Sequence, residues 1–329
     1  PGKKFDDPYS MNTIDICPVG ALTSKHFRFQ ARVWEMSYSP SICHGCAKNC
    51  SVDVWVRDNK VARLPPRKNL EVNDYWMCDA GRLAIKRYNH LRVSGSKVKG
   101  DIPVEFSRAA SHAKKLLDGQ SDTEKILWLG SPKASLESNY ALKRLAEKYN
   151  GTVYYVPHVI PGYGDGFLRS DDRTPNSKSC EALGFTAITH DELNARFKEK
   201  SVGLCYMLED NRTFGTIAGS AKKVPFIVHA TNQHEKFENS AVVFAVAQEI
   251  EAESTFINVD GVAQVTKLAK AVTQMTPEHW MRIPKSRLDK GAVAIDRWRD
   301  LDNVQDVMPG WQLVDMVGDF GWNKHADVF

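Results

Sequence analysis

Cys43-His44-Gly45-Cys46-Ala47-Lys48-Asn49-Cys50 sets three thiols in one short polar loop, and a fourth, Cys78, follows Asn73-Asp74-Tyr75-Trp76-Met77. Three close thiolates can wrap one corner of an inorganic cluster. The fourth must come from elsewhere in the fold, because a cubane presents four irons in four directions. The pattern fits a [4Fe–4S] cluster on four cysteine thiolates. Structural zinc sites usually use two separated Cys-x2-Cys knuckles, a poor match to three close ligands plus one remote one. Four unligated buried thiols are the remaining alternative, and the polar neighbours His44, Lys48 and Asn49 speak against it. Cys43, Cys46, Cys50 and Cys78 are therefore the candidate metal ligands.

A four-thiolate cluster is a buried anion, costly unless donors and cations compensate it. Basic residues crowd this part of the chain: Arg57, Lys60, Arg63, Arg67, Lys68, Arg82, Lys86 and Arg87. Arg82 and Lys48 are expected to offset the charge, backbone N–H groups of the loop to donate to sulfur, and Trp55 and Trp76 to exclude water. Elsewhere the net charge of +4 is spread evenly and mixed with acids, without the basic, aromatic-laced stripe of a nucleic-acid binder. No apolar run approaches bilayer length, and the longest, Ala241–Ala247, reads as one buried strand. The start of the chain lacks a signal-peptide pattern. Seven cysteines, most of them before position 79, do not resemble a secreted disulfide framework in a chain of 329 residues. A soluble intracellular protein is expected, reaching a membrane only through partners.

Outward from the cysteines, four segments are expected. Residues 1–41 form a lead-in, 42–105 a small [4Fe–4S] domain of short strands, 106–272 a Rossmann-like α/β domain, and 273–329 a Trp-rich tail. Ser51–Val56 alternates polar and apolar residues, Asp58-Asn59 makes a turn, and Lys60–Leu64 returns as the second strand of a hairpin. Arg82–Tyr88 reads as helix. Further on, strands at 125–129, 152–156, 202–207, 226–229 and 242–246 alternate with helices at 135–149, 191–198 and 213–222. That rhythm predicts a parallel sheet covered on both faces. In the tail, Thr276-Pro277-Glu278 opens a helix and Pro309 another, running to Val317, while Trp280, Trp298, Trp311 and Trp322 anchor it to the core or form a docking face. The chain opens on Pro1 rather than Met, so a fragment or processed product is expected.

Cys17 lies in Asp15-Ile16-Cys17-Pro18-Val19-Gly20-Ala21-Leu22-Thr23-Ser24-Lys25. A lone Cys before Pro is how a remote fourth ligand looks in ferredoxin-type clusters. Either its partner cysteines lie upstream of Pro1, completing a second [4Fe–4S] cluster, or Cys17 is inert.

This segment resembles one in the large iron–sulfur polypeptide, the G subunit, of respiratory complex I (NADH:quinone oxidoreductase), where it gives the last ligand of a [4Fe–4S] cluster. Phe29, Arg32 and Trp34-Glu35 continue the likeness. Cys43, Cys46, Cys50 and Cys78, with the run Asn73–Asp79, resemble the cluster domain shared by bacterial G subunits and molybdopterin oxidoreductases. Glu253–Gly261 is similar to a loop late in the molybdopterin-type domain. The likeness spans most of the chain but is specific only in 11–82 and 249–264. It departs from the family in lacking the ferredoxin-like N-terminal region with its [2Fe–2S] site. Ala80 also stands where molybdopterin enzymes usually carry the Lys that links cluster to pterin.

The resemblance implies an electron-transfer subunit between NADH and quinone with no substrate site of its own. It also implies partners among the flavin-bearing and quinone-side iron–sulfur subunits, and a cytoplasmic place peripheral to the inner membrane. An electron-transfer subunit of an NAD-linked hydrogenase or formate dehydrogenase is one alternative, and a scaffold fastened by metal is another. The remaining features promise less. Gly162-Tyr163-Gly164-Asp165-Gly166 lacks the strand–helix setting of a phosphate cradle and is expected to be a flexible loop. Cys205 reads as a buried apolar thiol and Cys180 as an exposed one. No hydrolase triad or Walker loop is present.

Overall fold

The computed structural model describes residues 5, 7–89, 93, 95–99, 102–217, 219–231, 240–270 and 312–314. The cysteine-rich part is built on an antiparallel sheet of β1 (Ser37–Ile42), β2 (Ser51–Arg57) and β3 (Lys60–Arg63), with β2 in the middle. Alternation on β2 sends Val52, Val54 and Val56 inward, against Val61, Leu64, Met77 and Tyr88. The β2–β3 turn falls on Asp58 and Asn59, both at positive φ (50° and 57°), the geometry of a tight hairpin turn that such short polar side chains tolerate. The expected helix at 82–88 is instead two single turns, α2 (Asp79–Arg82) and α3 (Ile85–Tyr88). A further short helix, α1 (Asn12–Ile16), packs in front of α2.

The larger sheet has eight strands in the order β5-β4-β11-β10-β9-β6-β7-β8. Six are parallel: β6 (Ile126–Leu129), β7 (Val153–Tyr155), β8 (Thr186–Ala187), β9 (Leu204–Leu208), β10 (Phe226–Ala230) and β11 (Val242–Ala245). β4 (Lys97–Val98) and β5 (Ile102–Pro103) add antiparallel at the β11 edge, so the sheet recruits residues from before position 106. Both faces are buried, as the near-continuous apolar strands require. Trp128, Leu204, Tyr206 and Phe244 face α4 (Phe106–Asp118), α5 (Leu136–Glu147) and α6 (Ser177–Ala182). Leu127, Leu129, Met207 and Val228 face α7 (His190–Lys198) and α8 (Asn211–Ile217). Ser135 caps α5 through the Ser138 N–H, and Thr189 with Glu192 forms a reciprocal cap on α7.

A hairpin of β12 (Ser254–Ile257) and β13 (Val262–Thr266) leaves this sheet and bridges to the cysteine-rich part. On one side the Thr255 N–H donates to Glu137 and the Ile257 N–H to Asn176 (2.9 Å). On the other, Gln264 donates to the Asn49 carbonyl (3.0 Å) and the Val259 N–H to Ala47 O (2.7 Å). β14 (Gln312–Val314) pairs parallel with β13, so these residues are strand where the helix from Pro309 was expected. Trp280, Trp298, Trp311, Trp322 and the helix expected from Thr276 lie outside the described residues. Among the described residues no helix is long and apolar enough to cross a membrane.

Candidate metal centre

β1 delivers Cys43 to the start of the loop, and the Cys43 N–H donates to the Cys50 carbonyl (2.8 Å), pinning the loop shut where β2 begins. Asn49, at φ +53°, supplies the left-handed step that turns the chain back. Cys78 arrives at the N-cap of α2. All four thiols are buried and line one cavity of about 280 Å³. Cys17 does not line it. That thiol is half-buried after α1, and its Sγ donates to the Val19 carbonyl (3.1 Å).

The fit to a cluster can be tested on the cavity itself. The volume is far larger than a single ion. The Gly45 N–H hydrogen-bonds to the Cys43 sulfur and the Gly81 N–H to the Cys78 sulfur, the backbone donation a thiolate cluster needs. A β-carbon at Gly81 would lie 2.8 Å from Cys43 Sγ and 3.7 Å from Cys78 Sγ, so glycine keeps the cradle open. Burial, reinforced by neighbouring cysteines, pushes the Cys43 thiol up to about 12 and Cys50 well above its ordinary value. Such thiols release their protons to solvent only when a metal centre or a nearby cation stabilises the thiolate left behind.

Of the basic residues crowding the cysteines in sequence, Arg87 reaches the wall, and the other wall cations come from farther along the chain. Arg87, Lys133, Arg169 and Arg173 line the cavity. Arg173 donates to the Gly45 carbonyl (3.2 Å) and stacks 3.8 Å over Tyr163. Arg169 pairs with Asp165 (2.9 Å), Lys133 with Asp210 (3.1 Å), and Arg87 with Glu249 while donating to the His44 carbonyl (3.1 Å). Arg82 is instead turned away to Asn12 and Asp15, while Lys48 pairs with Asp260 (2.7 Å) and its charge still favours the Cys50 thiolate, as expected. Trp55 stacks on Tyr38 beneath Arg63, and Trp76 lies against Phe167 at the surface. Neither tryptophan reaches the cavity, whose apolar wall includes Leu168 and Tyr163.

Tyr163 belongs to the loop expected to be flexible, and Leu168 lies just after it. Asp165 ties it down, accepting from the N–H groups of Phe167 (3.1 Å), Leu168 (2.9 Å) and Arg169 (3.0 Å). Gly162 and Gly166, at φ +80° and +68°, make the bends. The sequence signal for this wall was the glycine-rich motif itself, read only against a phosphate pattern. Cys180 is fully buried rather than exposed, because α6 packs it between α5 and the sheet; Cys205 is buried in β9 as expected.

Residues 36–90 match the molybdopterin oxidoreductase Fe4S4 domain. The chain is similar to the G subunit of NADH-quinone oxidoreductase from Pseudomonas fluorescens, 37% identical over 149 residues that cover 43% of this chain and 15% of that protein. Its counterpart in Pseudomonas putida is 35% identical over 160 residues, 48% of this chain and 17% of the relative. The Escherichia coli K12 protein is 32% identical over 153 residues, 44% and 16% respectively. The chain thus spans well under two thirds of the length of these relatives. Residues 36–90 therefore resemble a molybdopterin oxidoreductase Fe4S4 domain, a match that indicates a [4Fe–4S] cluster, in a chain similar to part of the NADH-quinone oxidoreductase G subunit.

Proposed function

We propose that this chain is the part of a complex I G-type subunit that holds a [4Fe–4S] cluster on Cys43, Cys46, Cys50 and Cys78, and that it serves electron transfer between NADH and quinone without a substrate site of its own. The observation that carries this reading is the convergence of the four buried thiols on one cavity walled by pinned cations. When bound, such a cluster supplies a one-electron carrier. The chain's own contribution is to fix the thiols, donate from Gly45 and Gly81, exclude water with Leu168 and Tyr163, and oppose negative charge with Arg87, Lys133, Arg169 and Arg173.

The α/β part is read as Rossmann-like. Numbered along the chain, the six parallel strands run 3-2-1-4-5-6, the doubly wound order. Lys133 and Asp210 follow the first and fourth of these strands, at the point where that order reverses. On this reading Cys17 serves a second [4Fe–4S] cluster if partner cysteines lie upstream of Pro1, and is inert otherwise. The same reading makes the flavin-bearing and quinone-side subunits the partners, on the cytoplasmic side and peripheral to the inner membrane.

Anaerobic purification with iron and acid-labile sulfide assays, and an electron paramagnetic resonance spectrum after dithionite reduction, test it. About four irons and four sulfides per chain with a reduced-cluster signal are expected for this site, reduced by replacing any of the four cysteines with Ser. Zinc without sulfide would overturn the reading. The identity of co-purifying subunits separates complex I from a hydrogenase or formate dehydrogenase assembly.

A further inference from the structure

The turn that carries Cys78 is not held by its own domain alone. Asn12 on α1 reaches across to it, and all four of its hydrogen-bonding positions are used. Its Oδ1 accepts from the Met77 N–H (3.2 Å) and from Arg82 Nη2 (2.6 Å). Its Nδ2 donates to the carbonyls of Met77 (2.9 Å) and Tyr9 (2.9 Å). The side-chain amide therefore pairs with both backbone groups of the residue just before the ligand, as a neighbouring strand would. Asn12, Met77 and Arg82 are all buried.

The residue just after the ligand is gripped by the same segment. The Asp79 N–H donates to Pro8 O (2.7 Å), while its carboxylate accepts from Ser10 Oγ (2.6 Å) and the Met11 N–H (3.0 Å). Asp15, one turn on from Asn12, pairs with Arg82. Cys78 is thus flanked on both sides by residues clamped to positions 8–15, whereas Cys43 and Cys50 are fixed by a hydrogen bond to each other.

Resting on the function proposed above, we infer that Asn12 is a positioning residue for Cys78, and that the segment 8–15 belongs to the cluster site. The clamp acts on one ligand of four. With a [4Fe–4S]2+ cluster bound, its loss should let the iron on Cys78 leave first, as Fe2+, so that a neutral three-iron, four-sulfide cluster stays on the loop cysteines rather than the site emptying.

The test uses the anaerobically purified chain. Iron content of the unsubstituted protein bears on the proposed function, while the variants, read relative to it, bear on Asn12. In Asn12→Ala, one-electron oxidation by added ferricyanide is expected to give the paramagnetic signal of an oxidised three-iron cluster, stronger than in the unsubstituted protein treated alike. Iron release to a chelator should be about fivefold faster, the factor set by one buried hydrogen bond. A folded variant with four irons, an unchanged spectrum and an unchanged release rate would overturn the inference. So would loss of all iron together with no three-iron signal, which is what a merely structural role produces. Should Asn12→Ala not fold, Asp15→Ala decides by the same readouts. Its side chain is partly exposed, and the change removes the second partner of Arg82 and a charge near Arg63 while leaving the Asn12 amide in place.

Discussion

A β-carbon on Gly81 would lie 2.8 Å from the sulfur of Cys43, although the two residues are far apart in sequence. The same β-carbon would lie 2.8 Å from Cε of Met77, itself fully buried. Gly81 is therefore kept for space, at the point where the turn after the fourth cysteine meets the first. Gly81→Ala is expected to cost about 1–3 kcal/mol through overpacking, because the strain falls on a ligand that a cluster would hold in place. Iron per chain should fall and the reduced-state spectrum should broaden. Wild-type iron content at wild-type thermal stability would show that Cys43 is free to move.

Arg173 is held in the wall by the Gly45 carbonyl and the Tyr163 ring. A nearby positive charge favours the state carrying the extra electron. Arg173→Gln should therefore lower the midpoint potential, on the order of tens of millivolts at an effective dielectric near 20. Potentiometric titration followed by electron paramagnetic resonance measures it. A potential that rises, or does not move, would remove Arg173 from the electrostatics of the centre.

His229 gives the α/β part a pH dependence of its own. It sits on β10, fully buried, against Phe244 and hydrogen-bonded to the Tyr206 hydroxyl (2.8 Å). Burial pulls its pKa down from 6.5 to about 3. The unfolded chain accepts the proton first as pH falls. The neutral buried ring thus contributes its full stability above pH 6.5 and loses it toward pH 3, by up to about 1.4 kcal/mol per unit. His229→Gln keeps a partner for Tyr206 and cannot titrate. The difference in melting temperature between the two proteins should widen on the alkaline side and shrink on acidification. A difference independent of pH between 7 and 4 would count against it.

The alternating strand Ser51–Arg57 and the apolar strands of the large sheet were legible because each carries its own periodicity. The four cysteines were legible because three of them are local. Most of the cations around them were not. Lys133, Arg169 and Arg173 come from loops of the α/β part and enter the wall only through the fold, while Arg82, close to Cys78 in sequence, is diverted by Asn12 and Asp15. Strands β4 and β5, of two residues each, are too short to show a period. The β12–β13 hairpin carries strand-like residues, but nothing in it announces that Gln264 will support the cysteine loop. Proximity in sequence located the candidate ligands; it could not locate most of their surroundings.

Asp165 organises the loop that closes the cavity, and its removal should expose the centre without preventing assembly. Its carboxylate collects three backbone N–H groups, the Arg169 guanidinium and the Tyr9 hydroxyl. Truncation to Ala strands those donors, but most of them are near enough to the surface to find water, so a loss of about 1–3 kcal/mol is expected. The larger effect is local. Tyr163 and Leu168 lose the anchor that seats them in the wall, and Arg169 loses its partner. Protein isolated without oxygen should still carry a full complement of iron, yet release it to a chelator severalfold faster than the unsubstituted chain. Asp165→Asn, which still offers an acceptor to the backbone, should fall between the two. If all three proteins give up iron at one rate, the loop does not guard the cavity, and access to the centre runs through another part of its wall.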